Sequence, residues 1–243
     1  MAKIRVVGIG PGAYEEMTVR AVSALNACDV IVGYHVYVDL VKDHFPGKEF
    51  FTTPMRKEVD RCKIALDLAR EGRDVAMICS GDSGIYGMAG LIYELRGEDE
   101  SIEVEVIGGL TAACSGASRL GAPLTHDFAV ISLSDLLTPW ETIEKRLDCA
   151  AQANLSVVLY NPGSMKRKDY LQRACDILMR HKAPETVCGA VRNIGREGEQ
   201  TRVMTLSELR DYEADMFTTV FVGNSFTKVI GGKMVTPRGY RDV

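Results

Sequence analysis

Residues 3–12 read K-I-R-V-V-G-I-G-P-G, a β-branched run that leads into a glycine-rich turn. β-branched residues favour strands, and glycines directly after a strand let a ligand approach backbone amides. Met17, Ala21, Leu25 and Cys28 follow at steps of four and three, the spacing of one helix face. The segment predicts a strand, a loop and a helix, and the loop is equally consistent with a plain tight turn.

This loop is not the dinucleotide fingerprint. That motif has the order G-x-G-x-x-G, and an acidic residue ends the next strand about 20 residues later. Here Pro11 separates the second and third glycines, and the acidic candidate Asp29 precedes its strand. A dehydrogenase with a bound dinucleotide is therefore the weakest of the enzyme classes considered.

The alternation of strand and helix continues along the whole chain. Strands are predicted at 3–8, 29–32, 75–79, 104–107, 128–132, 155–160, 186–191 and 218–222. Helices are predicted at 17–28, 59–69, 85–96, 139–153 and 170–180, and residues 108–118 are predicted as a loop that opens a short helix. Thr138 is expected to cap the 139–153 helix, with Glu141 completing a capping box. Such alternation is typical of α/β proteins, whose mainly parallel or mixed sheets are covered by helices. We expect two α/β domains, 1–124 and 125–243, with a ligand in the cleft between them.

The composition excludes several partners. Lys and Arg number 29 against 33 Asp and Glu, and the net charge of -4 provides no positive field for nucleic acid. No apolar stretch near the N-terminus is long enough for a signal peptide or a membrane span, so we expect a cytoplasmic protein without a membrane partner. The seven cysteines contain no C-x-x-C pair, which favours buried thiols and no metal site.

Two further glycine-rich segments follow predicted strands. Residues 80–87 read S-G-D-S-G-I-Y-G, and residues 106–113 read V-I-G-G-L-T-A-A. The carboxyl end of a strand in an α/β sheet is where ligands bind, and the carboxylate of Asp82 can reach a ribose hydroxyl or an ammonium group there. A helix cap that satisfies the amides around Ile85 is an equally good interpretation. Three such loops together indicate a groove for one extended ligand.

The order G-x-G-P-G, S-G-D-x-x-x-Y-G, E-V-I-x-G-x-T-A-A and P-L-T-H resembles the tetrapyrrole (corrin/porphyrin) methyltransferase family. Five further motifs resemble its precorrin-3B and cobalt-factor III C-17 methyltransferase branch: V-G-Y-x-x-Y-x-D-L at 32–40, the segment 126–140, Y-N-P at 160–162, G-R-E-G-E at 195–199 and T-P-R-G-Y at 236–240. The resemblance implies methylation of C-17 of a tetrapyrrole with ring contraction to precorrin-4 or its cobalt counterpart, in cobalamin biosynthesis. The alternative is methylation at another position of such a ring.

The resemblance also implies a cofactor site. The cofactor is S-adenosyl-L-methionine, released as S-adenosyl-L-homocysteine. The matching contact positions are Pro11, Ser80, Gly81, Asp82, Ile85, Thr111, Ala112, Asn161, Ile194 and Thr218. The family commonly has proline where Ser83 and Gly108 stand here, and proline stiffens a loop. We expect these two replacements to loosen the loops without abolishing the site.

Methyl transfer from a sulfonium needs no nucleophilic side chain, only alignment and exclusion of water. Ring contraction does need acid or base assistance. The branch motifs offer Asp127, Asp135 and Ser132 as catalytic candidates, with His126, Ser134 and Glu197 as less specific ones. For Asp127 and Asp135, helix capping is as good an interpretation as catalysis, and the motif that contains His126 favours a structural or cofactor-side role.

The implied substrate carries several carboxylate arms, so an acidic protein needs basic groups at its site. We expect Arg192, Arg196 and Arg56 to bind these arms, because arginine's planar fork suits carboxylates. The basic run 166–168 is better interpreted as solvated surface charge. The family further suggests a homodimer, and a binding module without enzymatic activity is the remaining rival.

Overall fold

The computed structural model describes residues 2–164 and 167–241. Its contacts divide the chain into two compact units, Met1–Thr111 and Ala112–Val243. This division lies one helix earlier than the expected boundary at residue 124. The reason is that helix α5 (Ala112–Leu120) packs on strands of the second unit, where Gly116 gives the ring of Phe221 room to approach.

The first unit is a parallel sheet with helices. Its strands are β1 (Ala2–Gly8), β2 (Val30–Tyr34), β3 (Glu49–Thr53), β4 (Asp74–Cys79) and β5 (Ile102–Ile107). Its helices are α1 (Val19–Ala27), α2 (His35–Val41), α3 (Glu58–Arg70) and α4 (Ala89–Arg96), with 3₁₀ turns at Tyr14–Glu16 and Lys42–His44. The strand order is β3-β2-β4-β1-β5, and all neighbours are parallel. All five carboxyl ends therefore lie together, at what we call the first-unit edge.

The core of the first unit follows from the alternation of side chains along a strand. In β1, Ile4 and Val6 pack in one cluster together with the apolar faces of α3 and α4. Val7 packs on the opposite face with α1 and α2. Because both faces of the sheet are covered, the central strands read as continuous apolar runs.

The second unit is built on a mixed sheet. Its strands are β6 (Gly121–Ala122), β7 (Phe128–Ser132), β8 (Ser156–Tyr160), β9 (Val187–Arg192), β10 (Gln200–Thr205), β11 (Thr218–Val222), β12 (Lys228–Ile230) and β13 (Lys233–Val235). Besides α5, its helices are α6 (Trp140–Gln152), α7 (Tyr170–Leu178) and α8 (Leu206–Arg210). The main sheet has the order β10-β9-β11-β8-β7, and a small sheet has the order β12-β13-β6.

Strand direction defines a functional side of the second sheet. β7 and β8 are parallel, and β11 runs antiparallel to both β8 and β9. β10 is in turn antiparallel to β9. The carboxyl ends of β7, β8 and β9 therefore lie with the amino ends of β10 and β11, and we call this the second-unit edge.

The structure corrects two predicted helix starts. α4 begins at Ala89 rather than at residue 85, because the chain before it forms an irregular loop in which Tyr86 has a φ of 55°. α6 has Pro139 as its N-cap and no side-chain cap, so the expected capping by Thr138 and Glu141 does not form. The additions to the predicted elements are strands β3, β6, β10, β12 and β13 and helices α2 and α8.

Candidate functional site

Three glycine-rich loops of the first unit meet at the first-unit edge, as the sequence predicts. Loop 1 (9–12) follows β1, loop 2 (80–88) follows β4, and loop 3 (108–111) follows β5. β1 lies between β4 and β5 in the sheet. Because these three strands are parallel neighbours, their loops share one place, the position at which α/β sheets bind ligands.

Backbone contacts join the loops. Gly10 N donates to Gly81 O at 3.1 Å, and Gly81 N donates back to Gly10 O at 2.7 Å. A Cβ atom on Gly109 would lie 2.2 Å from Gly81 O and 2.6 Å from Gly8 O, where no side chain fits. Glycine is thus required by the approach of one loop to another, which is a stricter demand than that of a plain tight turn.

Asp82 ties loop 2 to loop 3. Its Oδ1 accepts hydrogen bonds from Gly84 N at 2.8 Å and Ile85 N at 3.2 Å, as the capping interpretation expects. Its Oδ2 accepts from Gly109 N at 2.9 Å, a contact that this interpretation does not include. An ionised carboxylate has about four acceptor positions. With three used by described residues, one position on Oδ2 is left for a ligand's hydroxyl or ammonium group.

Two side chains that the sequence analysis did not assign to the site reinforce this edge. Ser83 is fully buried, and its hydroxyl donates to Ile107 O at 2.9 Å. The family's proline at this position is therefore replaced by a hydrogen bond, contrary to the expected loosening. Thr18 caps α1 by accepting from Ala21 N at 3.1 Å, and its hydroxyl lies 3.4 Å from Gly108 O. A threonine just before a helical run is an N-cap signal, so the sequence could have indicated the contact between Thr18 and Ala21 N.

The other first-unit cofactor predictions lie on the same loops. Pro11 on loop 1 is buried, and Thr111 at the end of loop 3 is 9% exposed. Ser80 is half-buried and Ile85 is 41% exposed, both on loop 2. The structure therefore brings together every predicted cofactor residue of this unit.

The second-unit edge collects most of the remaining predicted residues. Ser132 ends β7, and Asn161 directly follows β8. The Nδ2 of Asn161 donates to the Ser132 hydroxyl at 2.9 Å, while the hydroxyl also accepts from Ser134 N at 3.2 Å. Asn161 has a φ of 54°, a conformation that asparagine tolerates better than most residues. Thr218 begins β11, and Ile194, which is 5% exposed, follows β9.

Asp135 belongs to a side-chain cluster at this edge. Its Oδ2 accepts a hydrogen bond from the Tyr170 hydroxyl at 2.6 Å, and Oδ1 lies 3.9 Å from Arg167 Nη1. The hydrogen bond to Asp135 raises the pKa of Tyr170 above its usual value. The ring of Tyr170 also packs on Trp140, with 4.7 Å between centroids. Asp135 is thus held by side chains. The following helix, α6, has no side-chain cap, so the structure does not show the capping interpretation of Asp135.

The structure does not bring Asp127 to these residues. Asp127 precedes β7, and its carbonyl oxygen accepts from Ser156 N at the start of β8. This is the end of the strands opposite to Ser132. The Asp127 side chain is 84% exposed, and the ring of His126 beside it lies 3.8 Å from the carboxylate. Both residues are therefore separated from Ser132 and Asp135 by the length of β7.

Arg192 and Arg196 both lie at the second-unit edge. The Nε of Arg192 donates to Asp215 Oδ2 at 2.7 Å. Burial raises the pKa of Asp215, but the hydrogen bonds from Arg192, Thr218 and Phe217 N outweigh it and hold that pKa below its usual value. The Arg196 guanidinium lies 5.8 Å from the ring centroid of Phe217. Asp215 and Phe217 precede β11, and no sequence motif marked either of them.

The other predicted residues are more exposed. Arg56 lies in the turn after β3 with a φ of 64°, and its side chain is exposed. Glu197 is exposed, and its carbonyl oxygen accepts from Asn193 Nδ2 at 3.4 Å. Of the run expected to be solvated surface charge, Lys166 lies outside the described residues and Lys168 is exposed, but the side chain of Arg167 is 15% exposed and faces Asp135, so the expectation is wrong for Arg167. The half-buried Ala112 begins α5.

Within residues 2–164 and 167–241, no helix combines the length and hydrophobicity that crossing a bilayer requires. Among the same residues, no group of three or more His, Cys, Asp and Glu side chains is arranged to hold a metal ion. All cysteines in this part of the chain have free thiols.

Comparison with known proteins gives two kinds of similarity. The family model of Tetrapyrrole (Corrin/Porphyrin) Methylases matches residues 3–210. A Salmonella typhimurium protein named probable cobalt-factor III C(17)-methyltransferase is 47% identical over 98% of this chain and 99% of its own length. The Archaeoglobus fulgidus cobalamin biosynthesis protein CbiHC is 49% identical over 98% of this chain, which spans 53% of that protein.

A solved structure agrees with these relatives. The crystal structure of the methyltransferase CobJ superposes with a TM-score of 0.89 and 35% sequence identity. The alignment covers 98% of this chain and 100% of CobJ. Each of the two units is therefore similar in fold to the corresponding part of CobJ.

Proposed function

Because the chain belongs to the family of tetrapyrrole (corrin/porphyrin) methylases, we propose that it is a C-17 methyltransferase of cobalamin biosynthesis. In this proposal it transfers a methyl group from S-adenosylmethionine to C-17 of a tetrapyrrole, cobalt-factor III or precorrin-3B, and the ring contracts. The observation that carries the proposal is the 47% identity to a protein of that name over 98% of this chain and 99% of the relative. Similarity at this level and coverage extends through both units.

The first-unit edge fits the cofactor. S-adenosylmethionine supplies an electrophilic methyl group, so no side chain has to form a covalent bond. Loops 1 and 2, joined through Gly10 and Gly81, form a fixed backbone cradle. Asp82 retains one acceptor position that suits a ribose hydroxyl or an ammonium group. Thr111 and Pro11, on loops 3 and 1, are buried beside this cradle. Ala112, Asn161, Ile194 and Thr218 remain cofactor contacts implied by the family.

The second-unit edge suits the chemistry of the ring. The Tyr170 hydroxyl donates a hydrogen bond to Asp135 Oδ2 at 2.6 Å, so a carboxylate and a phenol that could exchange protons with a substrate lie side by side. Ser132, held by Asn161, offers a hydroxyl at the same edge. We therefore propose that Asp135 and Ser132 assist ring contraction. Asp127 lies at the opposite end of β7, and its location does not support this role. Arg192 and Arg196 are proposed to bind carboxylate arms of the substrate.

The decisive experiment is a turnover assay under anaerobic conditions. The purified chain is incubated with S-adenosylmethionine and either cobalt-factor III or precorrin-3B, and products are identified by mass and absorption spectrum. We expect one added methyl group, a contracted ring and release of S-adenosylhomocysteine. A product methylated without contraction would favour the alternative ring position. Cofactor binding without any turnover would favour a binding module.

The family also leads us to propose a homodimer in the cytoplasm, with no nucleic-acid or membrane partner. Light scattering tests the assembly, since one chain has a mass of 26.7 kDa. A mass about twice that value is expected at micromolar concentration. A monomer mass under those conditions would remove the dimer from the proposal and leave the methyltransferase activity to be judged by the turnover assay.

A further inference from the structure

Arg61 of α3 is a buried arginine without an acidic partner among the residues that the structure describes. It is 4% exposed. Its Nε donates to the Thr53 hydroxyl at 2.9 Å, and Nη2 donates to Pro54 O at 3.2 Å. A guanidinium has five N–H donors, so these contacts use two of them. By contrast, Arg70 on the same helix is exposed and pairs with both Asp67 and Asp99.

Burying an uncompensated charge opposes folding. Thr53 and Pro54 are neutral acceptors, and they do not cancel the charge of Arg61. The guanidinium carbon also lies 5.8 Å from the ring centroid of Tyr34, a further neutral contact. A charge that the fold does not neutralise is best explained by an anion that arrives from outside, and such costs are typically retained at functional sites.

The location of Arg61 supports this explanation. Tyr34 and Thr53 end β2 and β3 and are register partners. Their ends lie at the first-unit edge, and β2 is the neighbour of β4, which leads into loop 2. Burial raises the pKa of Cys79, the last residue of β4, to about 11, and the charge of Arg61 counteracts part of that rise. Arg61 therefore lies beside the proposed cofactor loops of the same sheet.

Part of the acidic charge around Arg61 is paired with lysines. Asp60, the residue before Arg61, lies 2.9 Å from Lys57, and Asp39 of α2 lies 2.7 Å from Lys42. The exposed Arg56 lies in the turn directly after Pro54. Glu58, three residues before Arg61 on α3, is half-buried, so an incoming carboxylate would meet Arg61 in an environment that also contains this acid.

We propose that Arg61, with Tyr34 and Thr53 around it, binds one carboxylate arm of the tetrapyrrole and thereby helps to determine substrate specificity. This inference rests on the proposed function, since it takes its ligand from there. It assigns substrate recognition to the β2–β3 end of the first-unit edge. The cofactor loops occupy the β4–β1–β5 part of the same edge.

The test compares binding of cobalt-factor III with binding of the same macrocycle after its carboxylates are converted to primary amides. The proteins are the wild type, Arg61→Gln and the matched control Arg70→Gln. We expect Arg61→Gln to weaken binding of the carboxylate form at least tenfold and to leave binding of the amide form and of S-adenosylmethionine nearly unchanged. Arg70→Gln should behave as the wild type does in all three titrations.

Equal affinity of Arg61→Gln and the wild type for the carboxylate form would overturn the inference. Equal weakening of both macrocycle forms would do so too, because a merely structural role predicts it. If Arg61→Gln fails to fold, Arg61→Lys decides, since it keeps the charge but loses the fork. That variant should lower the preference for the carboxylate form, and an unchanged preference would overturn the proposal. Macrocycle binding without C-17 methylation would instead refute the proposed function, and the binding comparison would still test the role of Arg61.

Discussion

At the first-unit edge the loops are held together mainly through backbone groups, whereas at the second-unit edge side chains hold one another. Gly10, Gly81 and Gly109 meet by backbone contact, and one carboxylate, that of Asp82, joins two loops. The second edge relies on side-chain pairs such as Asp135 with Tyr170. A backbone cradle tolerates few substitutions but presents a fixed shape to a ligand. A side-chain network can be altered one group at a time, so the two edges should respond differently to mutation.

The largest effect is expected from Gly109→Ala. The new methyl group would lie 2.2 Å from Gly81 O and 2.6 Å from Gly8 O, so the loops must separate. We expect a loss of about 3 kcal/mol in unfolding free energy and loss of S-adenosylmethionine binding. Urea denaturation and titration calorimetry measure the two quantities. The control is Gly90→Ala in α4, where no atom lies within 4 Å of the new Cβ and a small gain in stability is expected. Normal cofactor binding by Gly109→Ala would show that the loop contact is not required.

The next effect concerns rate rather than stability. Asp135→Asn keeps the shape of the side chain but removes the charge that accepts the Tyr170 proton. We expect ring contraction to slow about 100-fold, within the range of general acid–base contributions, with cofactor affinity unchanged. The pKa of Tyr170 should fall toward its ordinary value of 10.0, which an ultraviolet absorbance titration detects.

Asp127→Asn is the matched variant, because Asp127 lies at the opposite end of β7. Its single-turnover rate should stay within about threefold of the wild type, well below the 100-fold scale of an acid–base group. A slow Asp127→Asn together with an unaffected Asp135→Asn would reverse the two assignments. It would also remove the second-unit edge as the location of the acid–base chemistry.

Asp82→Ala tests the carboxylate that joins loops 2 and 3. Three backbone amides would lose their acceptor, at Gly84, Ile85 and Gly109. We expect about 2 kcal/mol lower stability and at least tenfold weaker S-adenosylmethionine binding. Asp99→Ala serves as control, because Asp99 also accepts a hydrogen bond from a turn amide, that of Ser101 at 3.1 Å, but lies away from the loops. If both variants bind cofactor equally well, Asp82 only shapes its turn.

The contrast between the edges also explains what the sequence could predict. Apolar runs such as β4, buried on both sides, identify strands without further information, and the loops at their ends follow from the parallel topology. β3 and β10 were not predicted because they are edge strands of mixed burial, in which two of the five β3 residues and three of the six β10 residues are exposed, so no continuous apolar run marks them. Motif matching selected Asp135 and Arg192 as candidates. It could not find Tyr170, Asp215 or Arg61 as partners, because those contacts depend on distant segments meeting in three dimensions.

The smallest expected effect on stability comes from the ion pair of Arg192 and Asp215, whose side chains are 41% and 38% exposed. Solvent screening limits such a pair to about 0.5 kcal/mol. The pKa of Asp215 is lower in the folded chain than its ordinary value of 3.8. The ionised form is thus favoured by folding, and its stabilisation is present above pH 3.8 and lost as the pH falls through the folded-state pKa. Arg192→Gln should therefore be less stable than the wild type at pH 6, and the difference should shrink when urea denaturation is repeated toward pH 3. A stability difference that does not depend on pH would mean that Arg192 acts by packing.

Arg192→Gln should also bind cobalt-factor III about tenfold more weakly at pH 7, if the exposed part of the guanidinium binds a carboxylate arm. Unchanged macrocycle affinity would show that Arg192 does not bind a carboxylate arm, and would leave carboxylate recognition to the first-unit edge.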